Sequence, residues 1–260
     1  MKKVLSILLI LLVGMAVGTT WASDIKKVRI GTEGAYPPFN FIDPNGKLQG
    51  FDIDIANALC EAAGVQCEFV TQDWDGMIPG LLAKKYDAII ASMSITEERK
   101  QRVDFTNKYY QTPARFVAKK GTDIQIDKEG LAGKTVGVQR ATVSENFIRD
   151  NFGQNIDVKS YATQDEANMD LVSGRLNLVF ADAVVLMEGF LNTDAGKDYD
   201  FIGPGYTDKE WFGDGIGIAV RKGEEDLRKL LNDAIEKIRA DGTYKKINDK
   251  YFNFDVYGNE

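Results

Sequence analysis

The chain has 260 residues, 44% hydrophobic and 27% charged, with a net charge of −7 at pH 7. That acidic balance argues against nucleic acid as a partner, because a polyanion needs a cationic surface. The chain contains no histidine, which removes Ser-His-Asp and Cys-His catalysis and the commonest zinc ligand.

Residues 1–22 read as a secretory leader. Lys2 and Lys3 precede an apolar run over 5–17, too short for a comfortable membrane span, and Thr20-Trp21-Ala22 places small residues at the cleavage positions. Cleavage is expected after Ala22, and no cysteine stands there to carry a lipid. The rest has no other run of spanning length, so a soluble, exported protein is expected.

Residues 28–32 read as a strand, followed by a loop fixed by Gly34, Pro37 and Pro38. Asp43-Pro44-Asn45-Gly46 is a turn. A helix is expected from Gly50-Phe51-Asp52 through Ile53, Ile55, Ala56, Leu59 and Cys60, stopping at Gly64. A strand over 67–71, a helix over 76–84 and a strand over 86–92 follow. Cys60 and Cys67 are the two cysteines. Export favours a disulfide between them over two free thiols.

Ala91-Ser92-Met93-Ser94-Ile95-Thr96-Glu97-Glu98-Arg99 carries the most chemistry. A strand end opens into a helix start, which gathers free carbonyls, N–H groups and hydroxyls. Thr96 can cap the helix, and Arg99 adds a planar fork suited to a carboxylate. Such a set could hold a zwitterion. It is equally what a capped helix with a surface arginine looks like.

A crossover is expected at Gln111-Thr112-Pro113, and a second αβ series begins with strand 115–119. Strand 134–139, helix 142–152, strand 158–161, helix 165–173, strand 176–180 running into Asp182, and helix 183–191 complete it. Residues 199–205 lead back to strand 215–221. An amphipathic helix over 224–240 and a closing helix over 244–252 end the chain. The organisation implied is a signal peptide (1–22), a first lobe (23–110), a second lobe (111–205) and a segment returning to the first (206–260). In open α/β sheets ligands sit beyond the C-terminal strand ends. Those ends carry Glu33, Tyr36, Trp74, Ala91, Ser92, Ser94, Gln139, Thr142, Val143, Ser144 and Asp182, with Arg99 one turn on.

Several stretches carry a family likeness: I-G-T-E-G-A-Y-P-P-F, G-F-D-I-D-I-A-N-A-L-C, K-K-Y-D-A-I-I-A-S-M-S-I-T-E-E-R, V-D-F-T, S-G-R-L and D-G-T-Y-K-K-I. Together they resemble the periplasmic solute-binding proteins of polar amino-acid ABC importers, above all the lysine/arginine/ornithine- and histidine-binding subgroup. The resemblance implies an α/β fold of two lobes. Each lobe is a mixed, mostly parallel sheet flanked by helices, and a two-strand hinge closes them on a ligand. It also implies the Cys60–Cys67 disulfide, a periplasmic location, a monomer, partners in a permease and an ATPase, and no metal or cofactor.

By resemblance, Arg99 takes an α-carboxylate with amides at Ser94 and near Val143. Ser92, Ser94 and Asp182 take the α-ammonium, and Tyr36 and Trp74 sandwich the side chain. Glu33 meets a basic side-chain end, which makes arginine the first choice, with lysine, ornithine and histidine next. The family usually has glycine where Ala141 stands; if that position needs a positive φ, alanine is unfavourable there. Ala91 replaces a serine of some relatives, and Trp74 a smaller aromatic. Opine or neutral amino-acid binding, or a cyclohexadienyl-dehydratase-like enzyme on the same scaffold, are the competing readings.

Overall fold

The computed structural model describes residues 25–258; the leader and its cleavage site lie outside the described residues. In chain order the strands of the first half are β1 (Lys27–Thr32), β2 (Ala35–Tyr36), β3 (Asn40–Ile42), β4 (Leu48–Gln49), β5 (Gln66–Thr71), β6 (Ala88–Ile89) and β7 (Val103–Tyr110). Its helices are α1 (Phe51–Ala63), α2 (Met77–Leu82), entered through a tight turn at Trp74–Gly76, and α3 (Glu97–Lys100). The second half has β8 (Ala114–Lys119), β9 (Thr135–Gln139), β10 (Asp157–Tyr161), β11 (Leu178–Asp182), β12 (Tyr199–Tyr206) and β13 (Ile216–Arg221). Its helices are α4 (Val143–Phe152), α5 (Gln164–Val172), α6 (Ala183–Leu186), widening into a π turn over Met187–Leu191, α7 (Lys209–Phe212), α8 (Glu225–Ala240) and α9 (Thr243–Tyr251).

Two five-stranded sheets organise these elements, ordered β5-β1-β6-β13-β7 and β10-β9-β11-β8-β12. In the first, β13 alone runs against its neighbours; in the second, β8 does. The other strands of each sheet share one direction, so each presents most of its strand ends to the same side. Both faces are covered, which explains the unbroken apolar runs. Along β8, Phe116 and Ala118 enter one core while Val117 enters the other; along β11, Leu178 and Phe180 oppose Val179 and Ala181.

The first lobe's main core places Val28 and Ile30 beneath Phe51, Ile55 and Leu59 of α1 and Leu231, Ile235 and Ile238 of α8. Gly50, at φ 128, starts α1; a Cβ there would stand 2.2 Å from the Phe39 carbonyl oxygen, so the chain needs glycine. Gly64 ends the helix in the left-handed region at φ 69. Cys60 and Cys67 are joined by a disulfide that ties α1 to β5.

Three expectations shift. The strand over 86–92 pairs only at Ala88–Ile89; Ser92 then turns to φ 55, after which Ser94 bridges to Ile216 of β13. The helix over 183–191 divides into α6 and the π turn, whose Gly189 backs onto Pro37 of the other lobe. Residues 206–212 were assigned to the returning segment, but Tyr206, Trp211 and Phe212 pack around Phe147. The chain therefore rejoins the first sheet only at β13.

Candidate functional site

The two sheets point their strand ends at one cleft. Its walls enclose a cavity of about 60 Å³, and all twelve residues singled out in the sequence line it. Glu33 follows β1, Tyr36 sits in β2, and Trp74 opens the turn before α2. Ala91, Ser92 and Ser94 follow β6, and Arg99 lies on α3. From the second lobe, Gln139 ends β9, Thr142 caps α4, and Asp182 ends β11. Sequence reasoning missed Tyr110, Gln111 and Thr112 of the first crossover and Thr207 and Phe212 of the second, which also line the cavity.

One end is basic. Thr96 caps α3 by accepting a hydrogen bond from the Arg99 N–H at 3.3 Å. Arg99 Nη1 donates to the Ser94 carbonyl at 3.1 Å, and the guanidinium lies 5.3 Å from the Trp74 ring centroid. Burial lowers its pKa to about 10, which leaves it charged at neutral pH. Among the described residues Arg99 has no carboxylate within ion-pair distance. Across the cleft, the Thr142 hydroxyl accepts from the Glu145 N–H at 3.1 Å and donates to the Gln139 carbonyl at 2.7 Å. That hydroxyl is committed to the loop, so the first-turn amides of Val143 and Ser144 are what α4 offers to an anion. Ala141 does sit at φ 58, the conformation that favours glycine.

Two acids line the same cavity. Glu33 is 9% exposed, and its Oε1 accepts from Gln139 Nε2 at 2.6 Å. Burial, reinforced by Asp73 and Asp75, pushes it up to about 7. Its Oε2 has no hydrogen bond to a described residue. Asp182 Oδ1 caps α6, accepting from the N–H groups of Val184 and Val185 at 2.8 and 3.2 Å. Its Oδ2 accepts from the Thr112 hydroxyl, and burial raises it to about 6. Asp182 is therefore a helix cap and a cavity acid at once, since the two oxygens divide the tasks. Burial also drives the Tyr36 phenol well above its ordinary range, so it presents a neutral ring.

The lobes meet across the cleft. Trp74 Nε1 donates to the Ala141 carbonyl at 2.9 Å, Gln139 reaches Glu33, and Arg140 Nε pairs with Asp75 at 2.7 Å. Among the described residues no group of three His, Cys, Asp or Glu side chains is placed to hold a metal, and no helix is long and apolar enough to cross a membrane. The cavity thus offers a buried cation, the first-turn amides of α4, two buried carboxylates and aromatic walls. That arrangement suits a small molecule that carries opposed charges.

Comparison with known proteins identifies the family. Residues 28–254 match the family model described as bacterial extracellular solute-binding proteins, family 3. The chain is 55% identical to the L-arginine-binding protein of Pseudomonas aeruginosa, over 92% of each chain. It is 44% identical to the histidine-binding periplasmic protein of Escherichia coli, over 99% of this chain and all of the other. Among solved structures, a Salmonella typhimurium periplasmic binding protein described for high arginine specificity superposes with a TM-score of 0.81. It is 34% identical, with 88% of this chain and 100% of that one covered. The chain belongs to the bacterial extracellular solute-binding proteins, family 3.

Proposed function

We propose that this protein captures a cationic L-amino acid, arginine first, between its lobes and delivers it to the permease and ATPase of an ABC importer. The observation that carries the reading is the charge inventory of the cavity: Arg99, Glu33 and Asp182 all line it, and among the described residues none of the three has an ion-pair partner. An α-carboxylate would satisfy Arg99 together with the amides of Ser94, Val143 and Ser144. An α-ammonium would meet Asp182 and the Ser92 carbonyl. A second cation on the side chain then balances Glu33, which is unfavourable to bury as an unpaired charge.

Arginine is favoured over lysine by shape. With Gln139 holding Oε1, Glu33 keeps Oε2 and further lone pairs for a planar, multi-donor guanidinium. Tyr36 would cover the alkyl stem. Trp74 has one face turned to Arg99, so it acts as a shared wall between the carboxylate clamp and the stem. The similar proteins that take arginine or histidine by name support the cationic class. Closure draws on contacts from both lobes, and a ligand favours the closed state only through that difference. A periplasmic, monomeric, non-catalytic role fits the family.

Calorimetric titration of the exported chain, stripped by unfolding and refolding, against arginine, lysine, ornithine, histidine and glutamine tests this. Arginine binding tightest and glutamine weakest is the expected order. Glutamine binding as tightly as arginine would overturn the cationic reading.

A further inference from the structure

One carboxylate next to the site has no part in the roles above. Asp52, in the first turn of α1, is fully buried. Its Oδ2 accepts from Asn40 Nδ2 at 2.8 Å and from Ser92 Oγ at 3.1 Å, and its Oδ1 accepts from the Tyr109 hydroxyl at 2.8 Å. Among the described residues no lysine or arginine pairs with it. Three donors converging on one side chain call for an acceptor-only group, which is an ionised carboxylate. Ser92, the partner on the cavity side, lines the cleft and holds the left-handed φ of 55. Beside it, Tyr110 also lines the cavity, and its buried hydroxyl has no partner among the described residues.

We propose that Asp52 is a positioning residue for the ligand's α-ammonium: it locks the left-handed Ser92 turn and sets a second negative charge behind that end of the cavity, opposite Asp182. This rests on the reading of the site as an amino-acid cleft. A buried anion with no protein cation is stabilised by a ligand cation brought within a low-dielectric wall. Burial holding Asp52 up at about 6 agrees with a charge short of a partner. In a sequence the residue looks like an ordinary acid favouring a helix N-terminus. Its burial and its three donors separate it from that role.

The test compares L-arginine with 5-guanidinopentanoate, the same molecule without the α-amine, on the stripped protein. Affinities are read by calorimetry, directly for arginine and by competition for the analogue. If the wild type binds neither, the amino-acid reading itself fails. Given wild-type binding, Asp52→Asn is expected to weaken arginine about tenfold or more and the analogue less than about threefold, because only arginine carries the ammonium. Equal losses, or none, overturn the proposal. Should Asp52→Asn not fold, Tyr109→Phe removes one donor from outside the cavity and leaves the carboxylate. A selective arginine loss of about threefold is expected there, and an unselective change overturns the proposal.

Discussion

The two ends of the cleft hold charge by different means. At the Arg99 end the charge is permanent: even lowered to about 10 by burial, the guanidinium stays ionised throughout the neutral range. It is backed by carbonyl and amide groups of the chain ends. The charges of the cleft's acids are conditional, since burial raises Glu33 to about 7 and Asp182 to about 6. On the proposed reading the permanent charge fixes the ligand carboxylate, while the conditional acids, Asp182 toward the α-ammonium and Glu33 toward the side chain, respond to what sits beside them and to pH. Of these groups only Glu33 would select among side chains.

The most severe way to break this contrast is to remove the permanent charge. Arg99→Ala should weaken binding of every amino-acid ligand by about 3 kcal/mol or more, roughly a hundredfold, as read by calorimetry. A loss confined to arginine would misplace the carboxylate end. Removing the tunable charge should be selective. Glu33→Gln is expected to weaken arginine about thirtyfold and leave glutamine within about threefold. Equal losses would show Glu33 to be structural.

Acidity should separate the ends without mutation. A cationic ligand needs Glu33 ionised, so arginine affinity should fall about tenfold between pH 8 and pH 6. The ligand-free protein should respond in the opposite sense. A carboxyl raised on folding binds more protons in the native than in the unfolded state between about pH 4.5 and 7. Stability of the empty protein therefore rises as pH falls through that window, and thermal unfolding without ligand checks it. With no histidine in the chain, the buried acids dominate this range. The smallest effect concerns the loop beneath the carboxylate end. Ala141→Gly relieves φ 58 and should raise unfolding free energy by about 0.5–1 kcal/mol in denaturant titration.

Much of the cleft was legible in the sequence because strand ends converge in this architecture. Glu33, Trp74, Ser92, Gln139 and Asp182 each follow an apolar run, so locating the runs located the wall. The crossovers were harder. Thr112 was read as part of a link, yet its hydroxyl bonds Asp182; nothing local announces which link residue faces inward. Phe212 lies on the one-turn helix α7, too short to show periodicity. It also belongs to the second lobe's aromatic cluster. Asp52 was hidden because an acid in a helix's first turn needs no further explanation, and only three-dimensional burial supplies one.

On the proposed reading a ligand cation meets a carboxyl poised near neutrality. Calorimetry of arginine binding at pH 7 in buffers of different ionisation heat counts the protons exchanged. With Glu33 at about 7 when empty, binding should release about half a proton, and Glu33→Gln should abolish most of that release. No release from the wild type, or the same release from the variant, would contradict the account.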